Sequence, residues 1–417
     1  MSSQDQGRFN SSPTVSLITC LIFCFQFGTT ISYNALVSPI YKDCNTSLYT
    51  IPINNYKPLV LDLTNTFIWT TCSSSTKHHT IPSSSSCEAA NKPGNCTIGL
   101  KDDCTTELFN PVSRKCGSGL VTFTTLTTNS TDGHNPLYAV NVTNITALCA
   151  PKKLLELLPK YSIGIAGLAS SNLSLPLQLS SRANIEKQFA LCLPASGRGI
   201  AIFGTGPYYL MGMVERNVSS MLKYTPLIKN PLSSSYYINV TGITINMQSL
   251  QIPETAFLGG ALLSSVSPYT ILREDIYHPF LSAYSTATQY IPRMAPVKPF
   301  DLCYDSRNLS STRMGACLAF VPNQTVQNVP MVIGGFQMEN NFLLFDLEKA
   351  RLACAPEPHY KKRGTERRVK VDRKFVTLQI GVEKFTLKLP KFSLPLPSSF
   401  PFRRLLFCME RVTNRAE

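Results

Sequence analysis

Short runs carrying Val, Ile, Thr, Tyr and Phe recur along this chain between turn signals, a pattern that predicts strands more than helices. Tyr237 to Ile252 alternates like a hairpin. Val332-Ile333-Gly334-Gly335 and Phe342 to Asp346 read as apolar strands separated by a polar turn. Ser162 to Leu168 is an apolar stretch punctuated by glycines, which allow close backbone approach. Two segments carry helical signals. Leu175 to Ser181 places Pro176 near a helix start, and Leu272 to Ala287 has helical spacing. The expected organisation is a strand-rich lobe over 35–205, a second lobe over 206–360, and a basic tail over 361–417 that is poorly ordered or misjoined. With 417 residues, 43% of them hydrophobic, the chain has ample material for two cores.

The termini and the cysteines set the compartment. Residues 15 to 28 form an apolar run too short to span a bilayer comfortably. The run reads as a signal-peptide core, with 1–32 removed by cleavage near Gly28 to Ser32; an N-terminal anchor is the alternative. Of 14 cysteines, Cys20 and Cys24 leave with the signal, and five crowd between Cys72 and Cys116. That density in a chain with a signal predicts disulfides and a secreted, extracellular protein, without a membrane segment after cleavage. Sequons beyond Asn10, at Asn45, Asn95, Asn129, Asn141, Asn144, Asn172, Asn217, Asn239, Asn308 and Asn323, point the same way.

The net charge of +14 is not a nucleic-acid footprint, because residues 361 to 417 hold 15 Lys or Arg against 5 Asp or Glu. The charge belongs to an appendage, and no nucleic-acid partner is expected. No C-x-x-C pair occurs and histidines are few, so no metal is expected; adjacent His78 and His79 in a Ser/Thr-rich loop read as solvated. No G-x-S-x-G or phosphate loop occurs either, and no cofactor is implied.

The chemistry lies in two related segments. Val60-Leu61-Asp62-Leu63-Thr64-Asn65-Thr66-Phe67-Ile68-Trp69 has the form of a first active-site strand of an aspartic protease, and Leu262-Leu263-Ser264-Ser265-Val266-Ser267-Pro268-Tyr269 has that of the second. Ser264 stands where the second aspartate belongs. Hydrolysis of this type needs two carboxyls sharing one proton around a water, so Asp62 and Ser264 read as a remnant with no intact catalytic site. Asp62 also lacks the following glycine that lets the loop turn tightly, and Cys116 to Phe123 offers no flap tyrosine. A hydrogen bond from Ser264 to Asp62 is the expected relic of the pair.

These segments, with "GIAGLASSNLSLPLQLSS" from Gly164, "KQFALCLPASGRGIAIFGTGPYYL" from Lys187, "TPLIKNP" from Thr225, "FDLCYDS" from Phe300 and "VIGGFQMENNFLLFDLEKARL" from Val332, resemble a plant pseudo-protease family. It includes cereal xylanase inhibitors of the TAXI type, extracellular dermal glycoproteins and legume basic globulins. The resemblance covers roughly residues 35 to 360. It implies an all-β, bilobal pepsin-like aspartic protease fold and a monomer that binds proteins without cleaving them, with a microbial xylanase or related glycoside hydrolase as partner.

In the cereal inhibitors a histidine after an "F-D-x-E-K-x-R-L" segment enters the xylanase active site. Phe345 to Leu352 followed by His359 matches that spacing and makes His359 the expected contact. Relatives also carry a strand segment before the "ACLAF"-like strand. Here Met314-Gly315 runs straight into Ala316-Cys317, so the second lobe is expected to be incomplete, and the family's final cysteine is missing. A weakly active aspartic endopeptidase and a storage or peptide-binding globulin are the alternative functions.

Overall fold

The structure, a computed structural model, describes residues 35–54, 56–71, 104–209, 217–305, 316–323, 329–356, 376–380 and 383–385. The first half contributes β1 (Ala35–Lys42), β2 (Tyr49–Asn54), β3 (Lys57–Asp62), β4 (Ile68–Thr71), β5 (Thr105–Asn110), β6 (Lys115–Thr131), β7 (Pro136–Ala150), β8 (Gly164–Gly167), helix α1 (Leu175–Ala183), β9 (Gln188–Cys192) and β10 (Arg198–Gly204). In β3, Leu59 to Asp62 are all buried, so the strand is covered on both faces and its text is apolar without alternation. Helix α1 starts where the sequence signals it: Ser174 precedes, Pro176 lies in the first turn, and Asn184 ends it in the left-handed conformation at φ 53°.

Strand β8 lies between β3 and β4. It runs parallel to β3, with Val60 opposite Ile165 and Asp62 opposite Gly167, and antiparallel to β4, with Ile68 opposite Ala166 and Trp69 opposite Ile165. The chain thus leaves β3, turns at Asp62, returns as β4, and later threads a third strand between the two. No local sequence pattern encodes this crossing, because its partners are about a hundred residues apart.

The second half repeats it. Its elements are β11 (Lys223–Asn230), β12 (Ser233–Ile238), β13 (Gly242–Ile245), β14 (Gln248–Ser249), β15 (Ala261–Leu263), β16 (Thr270–Leu272), α2 (Glu274–Ala287), β17 (Arg293–Met294), β18 (Cys303–Tyr304), β19 (Ala316–Cys317), β20 (Phe320–Pro322), β21 (Met331–Ile333), α3 (Gly335–Met338), β22 (Asn341–Asp346) and β23 (Arg351–Pro356). Here β21 lies between β15, to which it is parallel, and β16, to which it is antiparallel. A disulfide joins Cys303 of β18 to Cys317 of β19.

Six strands, in the order β1, β10, β9, β22, β23, β11, form an antiparallel sheet to which each half gives three. At its centre Phe189 of β9 opposes Phe345 of β22, their rings stacked at 4.6 Å and 3°. Tyr236 packs on Phe345 at 4.8 Å and donates its hydroxyl to the Leu168 carbonyl at 2.7 Å. Each such aromatic pair adds about 0.5–1.5 kcal/mol beyond its buried area. A second tie is buried Glu339, which accepts from Tyr49 Oη at 2.7 Å and from Lys42 Nζ. The two halves are therefore joined by backbone hydrogen bonds, stacked rings and a buried ion pair.

Three expectations are corrected. The alternation from Tyr237 is not one hairpin: β12 ends at Ile238, and the hairpin is β13–β14, turning through Asn246 and Met247, both at positive φ. The segment between β21 and β22 is the short helix α3, not a polar turn, and Gly335 to Met338 are all buried within it. The tail is not wholly irregular. Strands β24 (Val376–Ile380) and β25 (Glu383–Phe385) form a hairpin, and β24 pairs with β13. The surrounding basic run masks the Val-Thr-Leu-Gln-Ile alternation in a scan for charge and composition. Among the expected sequons, Asn45, Asn141, Asn144, Asn172 and Asn239 are exposed.

Candidate functional site: a one-carboxyl remnant between two equivalent loops

The two crossings place two loops side by side. Strand β3 delivers Asp62 to the turn toward β4; β15 delivers Ser264 to the turn toward β16. Gly167 and Gly334 close the loops in the same way. A Cβ on Gly167 would lie 2.3 Å from the Phe67 carbonyl oxygen and 2.5 Å from that of Asn65, and a Cβ on Gly334 would lie 2.2 Å from the Tyr269 oxygen and 2.8 Å from that of Ser267. Asn65 and Phe67 stand to Asp62 as Ser267 and Tyr269 stand to Ser264, so the equivalence holds residue by residue.

Asp62 is 1% exposed. Its Oδ1 accepts from the Thr64 backbone N–H at 2.9 Å and from the Thr64 hydroxyl at 2.7 Å. Its Oδ2 is buried with no hydrogen-bond partner. Burial pushes the carboxyl above its ordinary value, and the Thr64 and Asn65 donors only partly oppose that shift.

Ser264 does not make the expected bond to Asp62. A serine hydroxyl sits one bond nearer the backbone than a carboxylate oxygen, and Ser264 Oγ serves its own loop, accepting from Ser267 N–H at 3.2 Å. The bridge between the loops comes from Ser265. Its hydroxyl donates to the Leu61 carbonyl at 2.8 Å and accepts from Leu63 N–H at 3.1 Å. Leu63 occupies the equivalent position in the first loop and has no hydroxyl to return the bond. The link is one-sided. Sequence reasoning aligned the acid positions and overlooked the residue after each; the repeat Asp62-Leu63 against Ser264-Ser265 was the available signal.

This bridge has a testable weight. Ser265→Ala leaves the Leu61 carbonyl and Leu63 N–H without partners in a buried site, an expected loss of about 1–3 kcal/mol. Ser265→Thr keeps the hydroxyl and should lose less than half as much. Urea midpoints of the three proteins, compared at constant m-value, check this.

The two loops thus present one carboxyl, raised by burial, and a serine where a second acid would stand, whereas the aspartic-protease reaction divides the roles of base and acid between two carboxyls around one water. His359 lies outside the described residues, as do His78 and His79; the last described residue before His359 is Pro356, the end of β23. Among the described residues no cluster of three or more His, Cys, Asp or Glu is placed to hold a metal ion.

Two crossed loops under a shared six-stranded sheet define a pepsin-like bilobal protein. The family described as "Xylanase inhibitor N-terminal" matches residues 49–205, and "Xylanase inhibitor C-terminal" matches 235–316 and 315–356. The chain belongs to this plant family of pepsin-like pseudo-proteases. It is 36% identical over 371 residues to chitinase CLP of Oryza sativa subsp. japonica, covering 76% of this chain and 87% of that protein. It is 31% identical over 402 residues to gamma conglutin 1 of Prunus dulcis, covering 82% and 91%. Among solved structures, that titled "Crystal structure of edgp" superposes with a TM-score of 0.69 at 28% identity, covering 78% of this chain and 95% of that one. Soybean basic 7S globulin gives 0.64 at 25% identity, covering 78% and 94%.

Proposed function

We propose that this protein is secreted and proteolytically inactive, and that it inhibits microbial cell-wall glycosidases, an endo-xylanase first among them. The observation that carries the reading is the pairing of an intact two-loop frame with a single carboxyl, Asp62, opposite Ser264 and with its Oδ2 buried without a hydrogen-bond partner. Both family matches support it, since both families are described as xylanase inhibitors. His359 supplies the contact. A retaining xylanase presents two carboxyl groups roughly 5–5.5 Å apart, and an imidazolium inserted between them can donate to both.

The test is a titration of the purified protein against a panel of endo-xylanases and glucanases. Inhibition of at least one xylanase is expected, and His359→Ala should raise its inhibition constant at least roughly tenfold, the loss of one good interfacial contact. Unchanged inhibition removes His359 from the mechanism. An absence of inhibition across the panel favours a storage or peptide-binding role. Acid proteolysis that pepstatin blocks and Asp62→Ala abolishes would replace the proposal with an aspartic endopeptidase.

A further inference from the structure

The hairpin β24–β25 lies beyond both family matches, the second of which ends at Pro356, yet it pairs with a strand of the second half. Its sequence encodes it. Val376-Thr377-Leu378-Gln379-Ile380 alternates in sequence, and Ile380 opposes Glu383 in the antiparallel pair. Strand β24 pairs antiparallel with β13 in continuous register: Gly242 with Gln379, Ile243 with Leu378, Thr244 with Thr377, Ile245 with Val376. The other neighbour of β13 is β14, which pairs only through Thr244 and Ile245. Without the hairpin, β13 would be left with one open edge, although its Ile243, Thr244 and Ile245 are buried.

A second observation is independent of this pairing. The C-terminal family match does not run through the lobe; it breaks into 235–316 and 315–356, at the junction Gly315-Ala316 where the sequence predicts a missing strand segment. The chain therefore lacks a stretch of the second lobe in the middle and carries a strand pair bound to that lobe at the end. The 19 residues between Pro356 and Val376 reach about 60 Å when extended, enough to cross a domain of this size.

We infer that the edge of β13 is a strand-docking site whose occupant is this chain's own Val376–Phe385, bound in cis, and that this hairpin completes from the C-terminus the lobe interrupted at Gly315-Ala316. The basic tail is then a structural part of the second lobe and not an appendage. The mode is strand addition, in which main-chain hydrogen bonds give the affinity and register gives the specificity.

Two experiments decide it. In the full chain, Thr244→Cys with Thr377→Cys places cysteines at opposed positions of an antiparallel pair, within disulfide reach. An intramolecular bridge, found by peptide mapping of the monomer band on a non-reducing gel, is expected. Its absence, or a bridge found only in a dimer band, overturns docking in cis. Second, a chain ending at Tyr360 should melt roughly 5 °C lower. Its 242–245 amides should exchange at least about tenfold faster, and a peptide spanning Lys374–Leu389 should restore both. Unchanged exchange at 242–245 after truncation overturns the proposal. If the shortened chain fails to fold, Leu378→Pro in the full chain is read for the same exchange, with the same two outcomes.

Discussion

Gly167→Ala and Gly334→Ala are each expected to abolish accumulation of folded protein. An added methyl at either position meets fixed main chain: the Phe67 and Asn65 carbonyls within 2.5 Å in one loop, the Tyr269 carbonyl carbon and oxygen within 2.4 Å in the other. Neither contact can be relieved by a rotamer change. Both carbonyl groups belong to the turns that carry Asp62 and Ser264, so relief requires opening the crossing itself. A cost above about 4 kcal/mol is a large part of the stability of an ordinary domain. Gly117→Ala is the comparison. Its methyl would lie 2.9 Å from Leu154 Cδ1, the far end of a side chain that can turn away. Soluble yield and circular dichroism of the three variants check the expectation. Wild-type yield from either loop variant would show that the crossing is more pliant than its geometry.

Asp62→Asn is expected to stabilise the protein at neutral pH and to leave it nearly unchanged near pH 3. The Asp62 carboxyl is raised in the fold by burial. Below roughly pH 3.9 the group is protonated in both folded and unfolded chains and makes no pH-dependent difference. As pH rises toward and through its folded pKa, the unfolded chain releases the proton first and folding loses stability. Glu339, also raised chiefly by burial and partly held down by Lys42, acts in the same direction. These two groups should therefore contribute more stability in mild acid than at pH 7, against the opposite, solvent-exposed contributions of Asp132 and Asp275. Asparagine can still accept from Thr64 and carries no charge on the partnerless side, so about 1–3 kcal/mol should return at pH 7. Thermal melts of both proteins at pH 3, 5 and 7 measure this. An equal difference at all three pH values would place Asp62 in a hydrated, ordinary environment.

Much of the fold is legible in the chain because its signals are local. Pro176 after Ser174 announces α1, the spacing through Ile276, Phe280 and Tyr284 announces α2, and the apolar run to Asp62 announces a doubly covered strand. The loops that face each other were also readable, since the two acid-position motifs repeat. What escaped was non-local. The parallel seats of β8 and β21 depend on pairings that no window of sequence contains. The Ser265 bridge depends on which hydroxyl reaches the opposite main chain, and Ser264 and Ser265 are indistinguishable in composition. The hairpin β24–β25 was hidden by its charged neighbours, although its alternation was present.

Trp69, the only tryptophan in the chain, sits on β4 opposite Ile165, fully enclosed, with no hydrogen-bond partner for its indole N–H. Its ring packs among Val60, Leu108, Val121 and Leu148, directly behind the strand that carries Asp62. The molecule's tryptophan emission, excited on the red side of tyrosine absorption, is thus a single-source optical signal: one enclosed indole on the first crossing and no other in the chain. Loosening of that crossing moves the emission to longer wavelength, and rearrangement confined to the other half leaves the colour unchanged.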